Sequence, residues 1–197
     1  MSTTIKEEKL MKKITSLILA IVMMLSMTVV SVYAAENTMP LESVTDVAST
    51  YSTDDRNLAD ANATNEKISD MKQRVAKMNS EQPDAVISIH QNSYTDSSVK
   101  GAQVFYYSHS REGEAVAKIL QESLQEIDPE NHRQAKANET YYLLRRTKVP
   151  TVIVECGFLT NPEEAEKLSG EEYQEQVAEA VAKGIAKCLE YLNEYGN

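Results

Sequence analysis

The sequence predicts an α/β protein in which a mostly parallel sheet is flanked by helices. Two segments, "AVISIH" and "TVIVEC", are short, β-branched and apolar at successive positions. This pattern is typical of strands that are covered on both faces. Amphipathic segments with helical spacing separate and surround the strands, and strands that alternate with helices favour parallel pairing.

The first half of the domain begins with a predicted helix near Asn65. Its apolar residues recur at helical spacing: Ile68, Met71, Val75 and Met78. After Pro83 the segment "AVISIH" gives one strand, and Gly101 opens a second strand, "GAQVFYY". A second amphipathic helix follows, and Asp128-Pro129 ends it.

The second half is predicted to contain a further buried strand and two helices. "TYYLLRR" indicates a short strand or extended segment, and "TVIVEC" indicates the buried strand. Asn161 and Pro162 mark a helix start, with a capping side chain, a proline at the first position and acids in the first turn. The closing helix turns these residues inward: Tyr173, Val177, Val181, Ile185, Cys188, Leu189 and Leu192.

Residues 1–34 have the order of an export signal. Lys12 and Lys13 precede an unbroken apolar run, and Val32 and Ala34 occupy the −3 and −1 positions of a cleavage site after Ala34. The run is also long enough to span a bilayer, so an uncleaved N-terminal anchor is the alternative. Either interpretation predicts that the rest of the chain is secreted or extracytoplasmic.

Three further properties bound the domain. Residues 35–52 are rich in Thr, Ser, Asp and Asn, which predicts a linker with one ragged strand, ahead of a domain over residues 53–197. The net charge of −10 excludes nucleic acid, because a phosphate backbone requires a basic surface. Cys156 and Cys188 are too few for a disulfide framework and are expected to be buried free thiols. We expect a monomer.

Two ionisable residues stand at strand ends, where ligands bind in α/β sheets. His90 ends "AVISIH", and Glu155 lies inside the end of "TVIVEC". A glutamate among apolar residues is costly to bury as an anion, so its pKa should rise, which suits general acid/base catalysis. A structural glutamate bonded to the following loop, and a satisfied histidine at a strand edge, are the alternatives.

Together His90 and Glu155 suggest a zinc hydrolase, with the histidine as ligand and the glutamate as base for a metal-bound water. Such a site needs three protein ligands and an open fourth position. His109 and His132 lie in polar segments without metal-ligand spacing to His90. The sequence has neither an HExxH motif nor paired CxxC motifs.

A small basic cluster precedes the last strand and makes Arg145 a candidate substrate-binding residue. Arg145, Arg146 and Lys148 would suit an anionic or carboxylate-bearing substrate. A strand edge guarded by charge is the alternative. Tyr141 and Tyr142 either line the same cleft or belong to the core.

Three segments carry a resemblance to a known family: "DAVISIHQNS", "KGAQVFYYSHSREGEAVAKILQESL" and "DPENHRQAKANETYYLLRRTKVPTVIVECGFLTNPEEAEKL". From Thr53 to Leu192 the chain resembles the zinc-dependent N-acetylmuramoyl-L-alanine amidases, most of all the spore-cortex type. The resemblance implies an α/β peptidoglycan hydrolase that cuts the amide between N-acetylmuramic acid and L-alanine. It also implies that His90 is a zinc ligand and Glu155 the catalytic glutamate.

The chain departs from the family pattern in its N-terminal part. The family begins with a strand and a DPGHGG-like turn, which supply one zinc ligand, and a glutamate on the next helix supplies another. This sequence contains no HGG, and neither Glu36 nor Glu42 follows a strand and turn of that kind. The family's first strand and helix are therefore expected to be missing, and two outcomes stay open: a working zinc hydrolase or a wall-associated remnant without catalysis.

Overall fold

The computed structural model describes residues 28–32, 59–60, 62 and 64–196, and for residues 28–32 it describes the backbone alone. The predicted linker with its ragged strand, residues 35–52, lies outside the described residues, as does most of the predicted export signal.

The described elements comprise five strands and five helices. The strands are β1 (Thr28–Val32), β2 (Ala85–Asn92), β3 (Gln103–Tyr107), β4 (Lys136–Asn138) and β5 (Thr151–Phe158). The helices are α1 (Glu66–Glu81), α2 (Arg111–Ile127), α3 (Tyr142–Arg146), α4 (Pro162–Ser169) and α5 (Glu171–Tyr195). None of the described helices combines the length and apolarity needed to cross a membrane.

The strands form one sheet in the order β1-β2-β5-β3-β4. The predicted α/β class is confirmed, but the sheet is mixed where mostly parallel pairing was predicted. β2 and β3 pair in parallel with β5 and β4 respectively, whereas β1/β2 and β3/β5 are antiparallel. The loop of residues 93–102 holds no helix. Without the crossover that parallel strands require, β3 runs opposite to β2 and β5.

Each face of the sheet carries its own apolar cluster. On one face, Ile87 of β2 and Val154 of β5 pack against α2, α4 and α5. On the other face, Val86 and Ile153 pack against Val75 of α1 and the leucines of α3. All eight residues of β5 are buried. Alternate residues of β2 and β5 therefore point toward α1 and α3, where the candidate site lies.

The segment predicted as a short strand, "TYYLLRR", instead contains helix α3. Leu143 and Leu144 are both buried in the same apolar cluster. Successive residues of a strand point to opposite faces, so a strand could not have turned both leucines toward that cluster. The predicted start of α4 is confirmed, since Asn161 Oδ1 accepts a hydrogen bond from the Glu164 N–H at 3.1 Å.

Helices α2 and α5 meet closely at Gly184. A Cβ atom at this position would lie 2.7 Å from Leu120 Cδ2 and 3.1 Å from Ser123 Oγ. We expect Gly184→Ala to lower the free energy of unfolding by about 1–2 kcal/mol, because overpacking outweighs the gain in helix propensity. Urea unfolding measures the effect, with exposed Lys183→Ala as the control on the same helix. A stabilised Gly184→Ala variant would contradict the tight helix crossing.

Candidate active site

His90 and Glu155 are direct neighbours in the sheet. They are Cα partners on the parallel strands β2 and β5, and paired residues project from the same face. Both line a cavity of about 230 Å³ between the sheet and helices α1 and α3. The lining residues are Met71, Arg74, Ser88, His90, Tyr141, Tyr142, Leu143, Ile153 and Glu155.

The strand ends that hold this pair are locally irregular. The register between β2 and β5 shifts after His90, so that Asn92 pairs with Phe158. Gly157 has a φ of +155°, which residues with a Cβ rarely adopt. Glu164 Oε2 accepts the Phe158 N–H at 2.8 Å, and Oε1 accepts the Gly101 N–H at 2.8 Å. The Glu164 carboxylate therefore joins the end of β5 to the loop that leads into β3.

The carboxyl group of Glu155 is buried without a full set of partners. The residue is 8% exposed, and within the described part of the chain Oε2 has no hydrogen-bond partner. Burial raises the pKa of Glu155 to about 7, because the charged form loses its hydration. Near neutral pH the group can therefore either accept or donate a proton.

Burial favours the neutral form of the His90 imidazole. Its Nε2 lies 2.6 Å from Ser88 Oγ, and burial lowers the pKa of His90. The neutral ring is the form that binds metals. Ser88, which the sequence analysis did not single out, stands two residues before His90 on the same strand, so the two-residue repeat of a strand could have identified it.

Tyr141 and Tyr142, predicted to line a cleft or belong to the core, both line the cavity. Burial, and to a lesser extent the negative charge of Glu155, raises the pKa of Tyr141. The phenol therefore lies within the electrostatic reach of the glutamate. Met71 and Arg74 of α1 close another side of the cavity, and sequence reasoning assigned them no role there.

The structure does not bring Arg145 to this cavity. Arg145 is exposed in the last turn of α3 and is absent from the cavity lining. His109 makes an edge contact with the ring of Tyr107, their centroids 5.2 Å apart. His132 is exposed and lines a different cavity.

The donor set does not by itself fit a zinc centre. His90 and Glu155 are two potential ligands, and zinc needs at least three from the protein. Among the described residues no group of three His, Cys, Asp or Glu side chains could hold a metal ion. Glu36 and Glu42 lie outside the described residues. Cys156 and Cys188 are free and buried, as predicted.

Comparison with proteins of known sequence and structure points to one family. The chain is 38% identical over 131 residues to the germination-specific N-acetylmuramoyl-L-alanine amidase of Bacillus subtilis, covering 66% of this chain and 54% of that protein. The fold matches the CwlD amidase of Clostridioides difficile, solved with the GerS lipoprotein, at a TM-score of 0.66 and 32% identity. That match covers 70% of this chain and 72% of the other.

A second solved structure, N-acetylmuramoyl-L-alanine amidase AmiC2 of Nostoc punctiforme, matches at a TM-score of 0.55 and 32% identity, over 60% of this chain and 65% of that chain. The chain spans about half the length of the curated relatives that it matches first. The model of the N-acetylmuramoyl-L-alanine amidase family matches residues 2–187. The chain therefore belongs to the N-acetylmuramoyl-L-alanine amidase family.

Proposed function

We propose that this protein hydrolyses the amide bond between N-acetylmuramic acid and L-alanine in peptidoglycan, and that Glu155 transfers the protons. One observation carries the proposal. A buried carboxyl group with a pKa near 7 is the sheet neighbour of His90, in a cavity at the strand ends. Perturbed carboxyl groups in such cavities are typical of acid/base catalysts.

The proposed proton transfers balance. The Glu155 carboxylate removes a proton from a water molecule as the water oxygen attacks the amide carbonyl carbon. The resulting carboxylic acid then gives that proton to the amide nitrogen as the C–N bond breaks. The products are a free L-alanine amino group and a carboxylic acid on the lactyl group, which ionises to the carboxylate by losing the second water proton to solvent. A pKa near the working pH keeps both forms of Glu155 accessible.

We infer that zinc is the cofactor, as it is generally in this family, and that His90 is one of its ligands. The remaining ligands would have to come from outside the described residues. The protein would hydrolyse peptidoglycan in the cell wall, outside the cytoplasmic membrane. The described residues do not complete a site for the metal, and the proposed proton transfers rest on Glu155.

The second candidate function is a wall-associated domain that binds peptidoglycan without cutting it. The incomplete set of metal-ligating side chains among the described residues favours it. Such a domain would keep the cavity and the fold while losing the chemistry.

The discriminating experiment measures zinc content and hydrolysis on one preparation of the purified chain. About one equivalent of zinc, with release of L-alanine amino groups from peptidoglycan, supports the hydrolase. Peptidoglycan binding without zinc and without new amino groups supports the binding domain and contradicts the hydrolase. We expect the same preparation to sediment as a monomer.

A further inference from the structure

A second cavity, of about 440 Å³, opens where β5 ends and β3 begins. Its walls come from the loop before β3, the segment after α2 and the first turns of α4. Most of the lining side chains are charged, and both signs are represented. The lining residues are Lys100, Gly101, Asp128, Glu130, Asn131, His132, Arg133, Glu163, Glu164 and Lys167.

Arg133 is the most firmly held cation of this cavity. Its Nε donates to the Lys100 carbonyl oxygen at 2.6 Å, and its Nη1 donates to Gln103 Oε1 at 3.0 Å. The guanidinium carbon lies 5.0 Å from the centroid of the Phe158 ring, a cation–π distance. These contacts fix the plane of the guanidinium group, as bidentate hydrogen bonding to a carboxylate requires.

Arg133 forms no ion pair within the described part of the chain, although Asp128 and Glu130 line the same cavity. Glu163 pairs with Lys100 at 3.5 Å, and the Glu164 carboxylate accepts two backbone N–H groups. No described carboxylate forms an ion pair with Arg133, whose donors meet only neutral oxygens. A half-buried cation without a counter-ion is a favourable place for an anionic ligand group.

Arg133 is connected to the candidate active site through a single side chain. Gln103, its hydrogen-bond partner, is the Cα partner of Glu155 across the antiparallel β3/β5 pair. The Gln103 amide also donates to the Gln134 carbonyl oxygen at 2.9 Å, which fixes its orientation. Gln103 therefore joins the Arg133 guanidinium group to the strand pair that carries Glu155, at the end of the sheet where β5 ends and β3 begins.

We propose that Arg133 binds a carboxylate of the stem peptide, and that this cavity binds the part of the peptide that follows the scissile bond. The inference rests on the proposed function, because it takes the substrate to be a muramoyl peptide. Stem peptides can carry a free carboxylate on the acidic second residue and another at the far end of a diamino-acid third residue. Arg133 recognises one of these two groups.

Calorimetric binding of soluble muramoyl peptides tests the proposal. The protein is the full chain carrying Glu155→Gln, so that no ligand is consumed. Two pairs of ligands are compared. In one pair the second-residue carboxylate is either free or a carboxamide. In the other pair the terminal carboxylate of the third residue is either free or a carboxamide. We expect amidation at one position to weaken binding about ten-fold, the effect of one charge-assisted hydrogen-bond pair.

Adding Arg133→Ala should weaken binding of the free carboxylate about ten-fold and leave the carboxamide form unchanged, so that the preference disappears. Arg133→Lys should restore part of the preference, because it keeps the charge but loses the planar fork. Arg133→Gln, which keeps polar contacts without charge, serves if the alanine variant fails to fold. Lys183→Ala, an exposed cation on α5, is the control and should keep the full preference.

Two results would overturn the inference. One is equal affinity for carboxylate and carboxamide ligands at both positions. The other is an Arg133→Ala variant that loses the same factor for every ligand, which would make Arg133 a structural residue. Failure of the proposed function is recognised separately, as a chain with native Glu155 that binds these ligands but releases no amino groups from them.

Discussion

Replacing Glu155 with glutamine is expected to lower the rate of amide hydrolysis by a factor of about 10²–10⁴, the usual contribution of a positioned acid/base group. The change keeps the size of the side chain and removes its titration. Release of L-alanine amino groups from peptidoglycan measures the rate. Exposed Glu122→Gln, on α2, removes a carboxylate elsewhere and should retain the native rate. Full activity in Glu155→Gln would contradict the role of this residue.

The same substitution should change how stability depends on pH in chelator-treated protein. Burial raises the pKa of Glu155 from 4.5 to about 7 in the folded state. The folded chain therefore binds this proton more tightly than the unfolded chain, and stability falls as pH rises from about 4.5 to about 7. Above that window Glu155 is ionised, and its burial lowers the free energy of unfolding by an amount on the order of 3 kcal/mol.

Glutamine does not titrate, so the variant should gain stability relative to the native chain as pH rises through this window. Urea unfolding at pH values below, within and above the window measures the difference. A difference that does not change with pH would show that Glu155 titrates alike in the folded and unfolded chain.

The second large effect is expected at Glu164. Alanine at this position leaves the buried N–H groups of Gly101 and Phe158 without their acceptor. Since each unpaired buried donor costs about 1–3 kcal/mol, we expect Glu164→Ala to lower the free energy of unfolding by about 3 kcal/mol. Glu164→Gln keeps one acceptor oxygen and should lose roughly half as much.

The neighbouring residue supplies a matched control for Glu164. Glu163 lies in the same first turn of α4, but its side chain is 77% exposed and pairs with Lys100 at the surface. Glu163→Ala should change stability by no more than about 0.5 kcal/mol. Chemical denaturation of the three variants gives the comparison. Equal losses of unfolding free energy at positions 163 and 164 would contradict a stabilising role for the buried hydrogen bonds of Glu164.

Local pattern was sufficient to predict much of the scaffold. "AVISIH" and "TVIVEC" carry apolar residues on both faces because their strands lie in the interior of the sheet, between two helical layers. The start of α4 was predictable because a cap acts over three residues, as Asn161 does with Glu164. These features depend on neighbours in the sequence, which a pattern records directly.

Features that depend on distant contacts were not predictable in this way. Helix α3 forms because two adjacent leucines face one cluster contributed by other elements. The antiparallel course of β3 depends on its position beside β5. Arg145 was the cation singled out by sequence, yet Arg133 is the one that bonds Gln103, the sheet neighbour of Glu155, across thirty residues of sequence. No periodic pattern in the sequence links Arg133 to Gln103.

The antiparallel ladder between β1 and β2 conflicts with cleavage at the predicted site after Ala34. Residues 28–32 are hydrogen-bonded along residues 85–89, yet they precede the predicted cleavage point after Ala34. The same five residues cannot leave with an export signal and remain in the sheet. In a cleaved chain the outer backbone of β2 would be an open acceptor for a strand from another polypeptide. The positions left open would run from Ala85 to Ile89, directly before His90 in β2.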